Sequence, residues 1–188
     1  MANVARYPKT VIDKFRSPKH ARAVSEANAA GRAVSFECGS LVAVSLRIGG
    51  DAKIEEAGFK TSGCAYMIAA ADSACERLIG RELRSLHLAD DYLNIGTVPP
   101  ERRQCIELVR EAVASAFAEY RKSLISEYHG EAALICTCFG VTEDRIDAVL
   151  DDPAARDLAS VAAACNAGSG CGSCRMLIQE MIDSRSAA

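Results

Sequence analysis

From Leu41 to Ile48 apolar and polar positions alternate, with Val42, Val44, Leu46 and Ile48 on one face and Ala43, Ser45 and Arg47 on the other. That is the period of a half-buried strand. Gly49-Gly50-Asp51 supplies a turn and Ile54 to Thr61 reads as a return strand, so the two are predicted to pair as an antiparallel hairpin. Upstream, Val11, Ile12 and Phe15 are spaced as one face of a short amphipathic helix over Lys9 to Phe15, broken at Ser17-Pro18. Downstream, Cys64 to Ile79 is rich in alanine and predicts a helix closed by Gly80. Pro99-Pro100-Glu101 opens a longer helix, in which Ile106, Val109, Val113, Phe117, Tyr120 and Leu124 form the face expected to pack on the sheet.

That helix should end near Tyr128-His129-Gly130, with a linker at about 127–133. Beyond it Thr142 can cap a helix running to Leu150, Asp152-Pro153 ends it, and further helices are predicted over Leu158 to Ala164 and Arg175 to Ile182. The reading is α+β: a domain over residues 1–128 with a small antiparallel sheet covered by helices, then an all-helical domain over 133–188.

Composition narrows the partners. A net charge of −3 in 188 residues and a pI near 5.7 provide no field for nucleic acid or an anionic membrane surface. Nowhere do roughly 18 uncharged apolar residues follow one another, and Met1 to Phe15 does not read as a signal peptide, so a cytoplasmic location is expected. Nine cysteines cannot all pair, and several lie too close together for ordinary disulfides, which favours a reducing compartment and metal ligation.

Four of the nine form two tight clips, Cys136-Thr137-Cys138 and Cys171-Gly172-Ser173-Cys174. Four thiolates in two clips can enclose one soft metal centre, iron-sulfur or zinc. A unit of this size has little core, so a metal is a sensible staple. Gly168, Gly170 and Gly172 let the backbone approach closely and aim its amides at the centre, which suits inorganic sulfides better than a bare zinc ion. The run Ala133-Leu134-Ile135-Cys136-Thr137-Cys138-Phe139-Gly140-Val141, together with Gly168-Ser169-Gly170-Cys171-Gly172-Ser173-Cys174, resembles the 2Fe-2S domain of bacterioferritin-associated ferredoxin and of the middle of NifU. The resemblance implies a permanent 2Fe-2S cluster on Cys136, Cys138, Cys171 and Cys174 in a helix-turn-helix fold. Cys165 falls outside that pattern and is expected to be a packed residue.

Cys38, Cys64 and Cys105 each sit at the boundary of an element beside glycine or after proline, places that expose a thiol, and a helix start lowers thiol pKa. Chemistry alone leaves a metal site and ordinary burial both open here. Cys38-Gly39, Gly58-Phe59-Lys60-Thr61-Ser62-Gly63-Cys64 and Pro99-Pro100-Glu101 leading to Cys105 resemble the IscU-type scaffold domain at the start of NifU. That resemblance implies that Cys38, Cys64 and Cys105 hold a transient iron-sulfur cluster, or iron or zinc. It also implies a cysteine desulfurase and recipient apo iron-sulfur proteins as partners, a homodimer, and a carrier role rather than an enzymatic one. The third domain of full-length NifU is not expected in this chain. Cys75 lies eleven residues past Cys64 on one helix, ~16 Å further along at ~1.5 Å per residue, and is assigned to packing.

The family pattern breaks beside the triad. Ser40 stands where the family usually has aspartate, Ala65-Tyr66 where it has glycine and serine, and Gln104 where it often has histidine. Serine and glutamine bind iron or zinc less well than carboxylate or imidazole. Glu37, if residues 36–38 are extended, points away from Cys38. Three readings stand: a scaffold with altered lability, a divergent 2Fe-2S electron-transfer or regulatory protein whose first domain only docks partners, and a zinc-stabilised module. His20, His87 and His129 are scattered and read as surface or linker residues, and Asp90-Asp91 and Asp151-Asp152 as solvated turns.

Overall fold

A computed structural model describes residues 7–83, 86, 93–126 and 133–186. His87, Asp90-Asp91, Tyr128-His129-Gly130 and nearly all of the expected linker lie outside the described residues. The chain divides into two compact units, Met1–Tyr120 and Arg121–Ala188.

In the first unit, helix α1 (Lys9–Arg16) is followed by strands β1 (Ala29–Val34), β2 (Leu41–Ile48) and β3 (Ile54–Thr61), and by helix α2 (Ala65–Leu78). A short 3-10 turn at Pro100–Arg102 then leads into α3 (Arg103–Ser126). The strands form one antiparallel sheet in the order β1-β2-β3. Val42, Val44, Leu46 and Ile48 are all buried, as their alternation requires, and pack with Ile54, Ala57 and Phe59 of β3 beneath α2.

β1 is absent from the sequence reading, for a steric reason. Its inward residues are Ala29, Gly31 and Ala33, too small to give a strand-like hydrophobic signal. They are small because α3 lies against them: a Cβ at Gly31 would stand 2.2 Å from both the Ala112 carbonyl oxygen and the Ala116 amide nitrogen. The same contact rotates the buried face of α3. Its inner stripe is Cys105, Leu108, Val109, Ala112, Val113, Ala116 and Tyr120, while Ile106 and Phe117 are only half-buried. Bulk gives way to alanine where the helix meets the strand.

Asp72, on α2, anchors the N-terminal segment from within the core. Its side chain is 1% exposed and accepts from Lys14 Nζ at 2.8 Å and from the amides of Lys19 and His20 at 2.7 and 2.9 Å. Desolvation alone would lower the Lys14 pKa, but its bonds to Asp72 and Glu76 outweigh this and hold it above the usual lysine value.

The second unit is not all helical. β4 (Leu134–Cys136) and β5 (Val141–Thr142) pair antiparallel ahead of helices α4 (Glu143–Leu150), α5 (Leu158–Cys165) and α6 (Arg175–Ser186). The first cysteine clip must reverse the chain, and a two-strand ladder closes that reversal, with Gly140 at φ +64°. Thr142 caps α4 by accepting from the Arg145 amide, and Asp157 and Ser160 cap α5 reciprocally. Ile146, Val161 and Ile178, one from each helix, are fully buried at the centre of the unit. Arg185 pairs with Asp147 and Asp151, tying α6 to α4. Among the described residues no helix is long and apolar enough to cross a membrane.

Candidate functional site

The second unit brings its four clip cysteines around one small cavity. Ile135 to Cys138 line one side of it and Gly170 to Cys174 the other. Cys138 and Cys171 stand with their sulfurs 3.3 Å apart, and Cys136 lies close enough to Cys174 for its charge to act on it. Each contact takes one sulfur from each clip. Cys136 and Cys174 are buried, Cys138 is half-buried and Cys171 is exposed. Gly170 makes the approach possible, because a Cβ there would meet Cys138 Cβ at 2.9 Å and its sulfur at 3.1 Å. Gly168 and Gly172 adopt φ of +79° and +82°, conformations that glycine takes without strain.

Electrostatically this set is frustrated until a cation shares it. Burial, then the neighbouring Cys136 sulfur, pushes Cys174 up to about 11, and burial also raises Cys138. Cys171 is drawn down to about 7 by hydrogen bonds from the Ser173 hydroxyl and amide and from Cys138. Thiols that resist ionising because of burial and of one another are relieved by a positive centre between them. Four sulfurs, a glycine cradle and a dry floor therefore fit an iron-sulfur group. Cys165, half-buried, donates to the Val161 carbonyl oxygen at 3.2 Å and packs against the core that holds Cys136 and Cys174.

In the first unit, Cys64 caps the start of α2 and Cys105 lies in the first turn of α3, with their sulfurs 3.5 Å apart. Gly63 lets the chain enter α2 here, since a Cβ would lie 2.3 Å from the Met67 sulfur. Cys38 lies at the tip of the β1–β2 hairpin, near enough that its charge acts on Cys105. Three distant cysteines thus reach one end of the unit. Among the described residues of both units, no three or more histidine, cysteine or carboxylate side chains are gathered tightly enough to hold a single metal ion as they stand, the four clip cysteines included.

Not all three thiols are exposed as expected. Cys38 is exposed, Cys64 half-buried and Cys105 only 5% exposed. Nor does the helix start lower Cys105: burial, then the Cys64 sulfur, pushes it up to about 12. Cys38, on no helix, is the thiol drawn down to about 7, by hydrogen bonds from the Ser35 and Ser40 hydroxyls and the Ser40 amide. Ser40, standing where the family usually has aspartate, places its Oγ 3.2 Å from Cys38 Sγ. Residues 36–38 form a tight turn instead of an extended segment, and Glu37 acts on Cys38 through its charge, opposing ionisation. Gln104 is exposed, and Tyr66 is buried against Tyr7 with ring centroids 5.3 Å apart.

Sequence reasoning did not single out Ser35, Phe36 or Asp72. Ser35 is 7% exposed and binds the hairpin tip together: its amide donates to the Ser40 carbonyl, its carbonyl accepts from Gly39, and its hydroxyl accepts from the Cys38 amide. Asp72 was detectable as a lone acid in the alanine run Ala69 to Ala74. Cys75 is fully buried and pushed up to about 12, chiefly by desolvation, in keeping with packing. His20 is half-buried, and its Nδ1 has no hydrogen-bond partner among the described residues.

Comparison with known proteins covers both units. Residues 6–126 match the family described as NifU-like N terminal domain, and residues 134–184 match the BFD-like [2Fe-2S] binding domain. Nitrogen fixation protein NifU of Azospirillum brasilense is 29% identical over 94% of this chain. This chain spans 59% of that relative's length. Iron-sulfur cluster assembly scaffold protein IscU 1 of Archaeoglobus fulgidus is 27% identical over 61% of this chain and 76% of its own length. The crystal structure of the N-terminal part of a NifU-like protein from Brucella abortus shares the fold of the first unit. Its TM-score is 0.51 at 20% identity, covering 62% of this chain and 94% of that one.

Proposed function

The chain belongs to the NifU-like N terminal domain family, and from that membership we propose that it is an iron-sulfur cluster scaffold carrying a second, resident 2Fe-2S site. Cys38, Cys64 and Cys105 receive iron and sulfur as cargo and pass the assembled cluster to recipient apoproteins. The observation that carries this is the difference in accessibility among three converging cysteines: Cys105 is buried, Cys64 is half-buried beside it, and Cys38 stands exposed on a hairpin tip. Three cysteines also leave the set one thiolate short of the four that the second unit supplies. One open thiolate suits a site that must be loaded and emptied.

Sulfur enters by group transfer. The Cys38 thiolate attacks the outer sulfur of a persulfide on a cysteine desulfurase, forming a new S–S bond while the donor's S–S bond breaks. The donor leaves as a thiolate, and the proton stays on the transferred sulfur. Ser35 and Ser40 hold Cys38 as the nucleophile by hydrogen-bonding its negative charge.

In the second unit Cys136, Cys138, Cys171 and Cys174 would hold the resident group, with Gly170 keeping the clips in contact and Ser173 hydrogen-bonding Cys171. When bound, a 2Fe-2S group supplies one-electron chemistry. Buried Cys136 and Cys174 keep water from one side, which favours retention over exchange. The protein acts as a carrier in the cytoplasm, with a homodimer as its assembled form.

Anaerobic reconstitution with a desulfurase, cysteine and ferrous iron tests the scaffold role. Replacing Cys38, Cys64 and Cys105 together by serine should abolish cluster that can be passed to an apoprotein. Undiminished transfer would make the first unit a docking domain only.

A further inference from the structure

The alternation that buries Ala29, Gly31 and Ala33 reaches Ser35, and the chain turns at 36–38. Ser35 is buried at 7%, while Val34 at the outward end of β1 and Phe36 in the turn are 44% and 102% exposed. Phe36 is as open to water as a side chain can be, although aromatic rings are strongly driven to burial. Nothing in the fold of its unit uses it. It is nevertheless held in place, because the bonds from Ser35 to Ser40, Gly39 and Cys38 fix the backbone on both sides of it.

We propose that Phe36 is a docking anchor that inserts into an apolar socket on the persulfide-bearing sulfur donor, with Val34 at its rim, and so brings Cys38 to the donor's sulfur. The inference rests on the scaffold reading, which requires a donor to touch Cys38. Any protein that reaches Cys38 closely enough to exchange sulfur meets the ring two residues away. A rigid aromatic beside the reacting atom adds contact area at little entropic cost, the usual character of an interface hot spot. Of the proteins that meet this tip, the donor is the one whose sulfur must bond directly to Cys38, so the occupant is the donor protein, and a contact between copies is the alternative that sedimentation tests.

The experiment measures persulfide transfer from the source organism's cysteine desulfurase, with radiolabelled cysteine, to the full chain and to its Phe36→Ala and Phe36→Tyr variants. Phe36→Ala should raise the scaffold concentration for half-maximal transfer at least about 30-fold, a hot-spot loss. Phe36→Tyr should restore most of it. Thermal unfolding and the rate at which iodoacetamide modifies Cys38 should stay unchanged in Phe36→Ala, because the ring makes no contact that holds the loop. Half-maximal transfer at the parental concentration in Phe36→Ala overturns the anchor while leaving the scaffold role intact. An altered iodoacetamide rate overturns it too, since the ring would then act on the loop. A loss of self-association in sedimentation with normal transfer assigns the ring to a contact between copies. Absence of transfer to the parent chain, by contrast, removes the scaffold reading and the anchor with it.

Discussion

Cys38 and Cys105 carry the same thiol in opposite settings. Burial holds Cys105 near 12, whereas the Ser35 and Ser40 hydroxyls draw Cys38 to about 7. The sign follows directly: the Cys38 thiolate is present above pH 7 and is lost as pH falls through it, while Cys105 stays protonated across that range. The rate of Cys38 alkylation, followed by peptide mapping between pH 5 and 9, should therefore show a midpoint near 7. Ser35→Ala should move that midpoint upward, and Ser40→Ala should do the same. An unmoved midpoint would mean that the two hydroxyls do not stabilise the charge. Asp72 is the other residue whose chemistry decides its neighbourhood. Asp72→Ala strands two backbone amides and leaves Lys14 with Glu76 alone, and urea unfolding should show a loss of about 2–4 kcal/mol.

At the scale of elements, close packing governs both units. Gly31→Ala drives a methyl group into the backbone of α3, where neither Ala112 nor Ala116 can yield by changing rotamer. Equilibrium unfolding should register about 1–3 kcal/mol of destabilisation. Gly170→Ala presses on Cys138 instead, so visible absorption from the second unit should fall while far-ultraviolet circular dichroism stays near the parent's. How readable each element was in the sequence follows from the same packing. β2 was legible because branched residues face the core in strict alternation, β3 because it returns from the Gly49-Gly50-Asp51 turn, and α4 because Thr142 caps it. β1 was not, because residues that make room for a helix carry no hydrophobic period. The β4–β5 ladder was hidden in the cysteine clip, where ligand spacing masks strand pattern. The cysteines themselves were legible as residue types at telling intervals. Their unequal burial was not, since it depends on which loop each element presents.

For the whole molecule, the proposed function assigns three cysteines of the first unit and four of the second to two pools of iron. The first unit's set has one open thiol and two drawn into the protein. The second unit's set has two buried sulfurs, one half-buried and one exposed, with Gly170 leaving no room for a Cβ beside Cys138. On the proposed function the first set exchanges its iron and the second retains it. The most direct measurement loads the anaerobic chain with labelled iron and a desulfurase, adds an apo-ferredoxin, and follows where the iron goes. The account predicts one fraction that moves to the acceptor and disappears when Cys38, Cys64 and Cys105 are serine. It predicts a second fraction that stays and disappears when Cys136, Cys138, Cys171 and Cys174 are serine. A single pool, or a transferable fraction that follows the second set of cysteines, would contradict it.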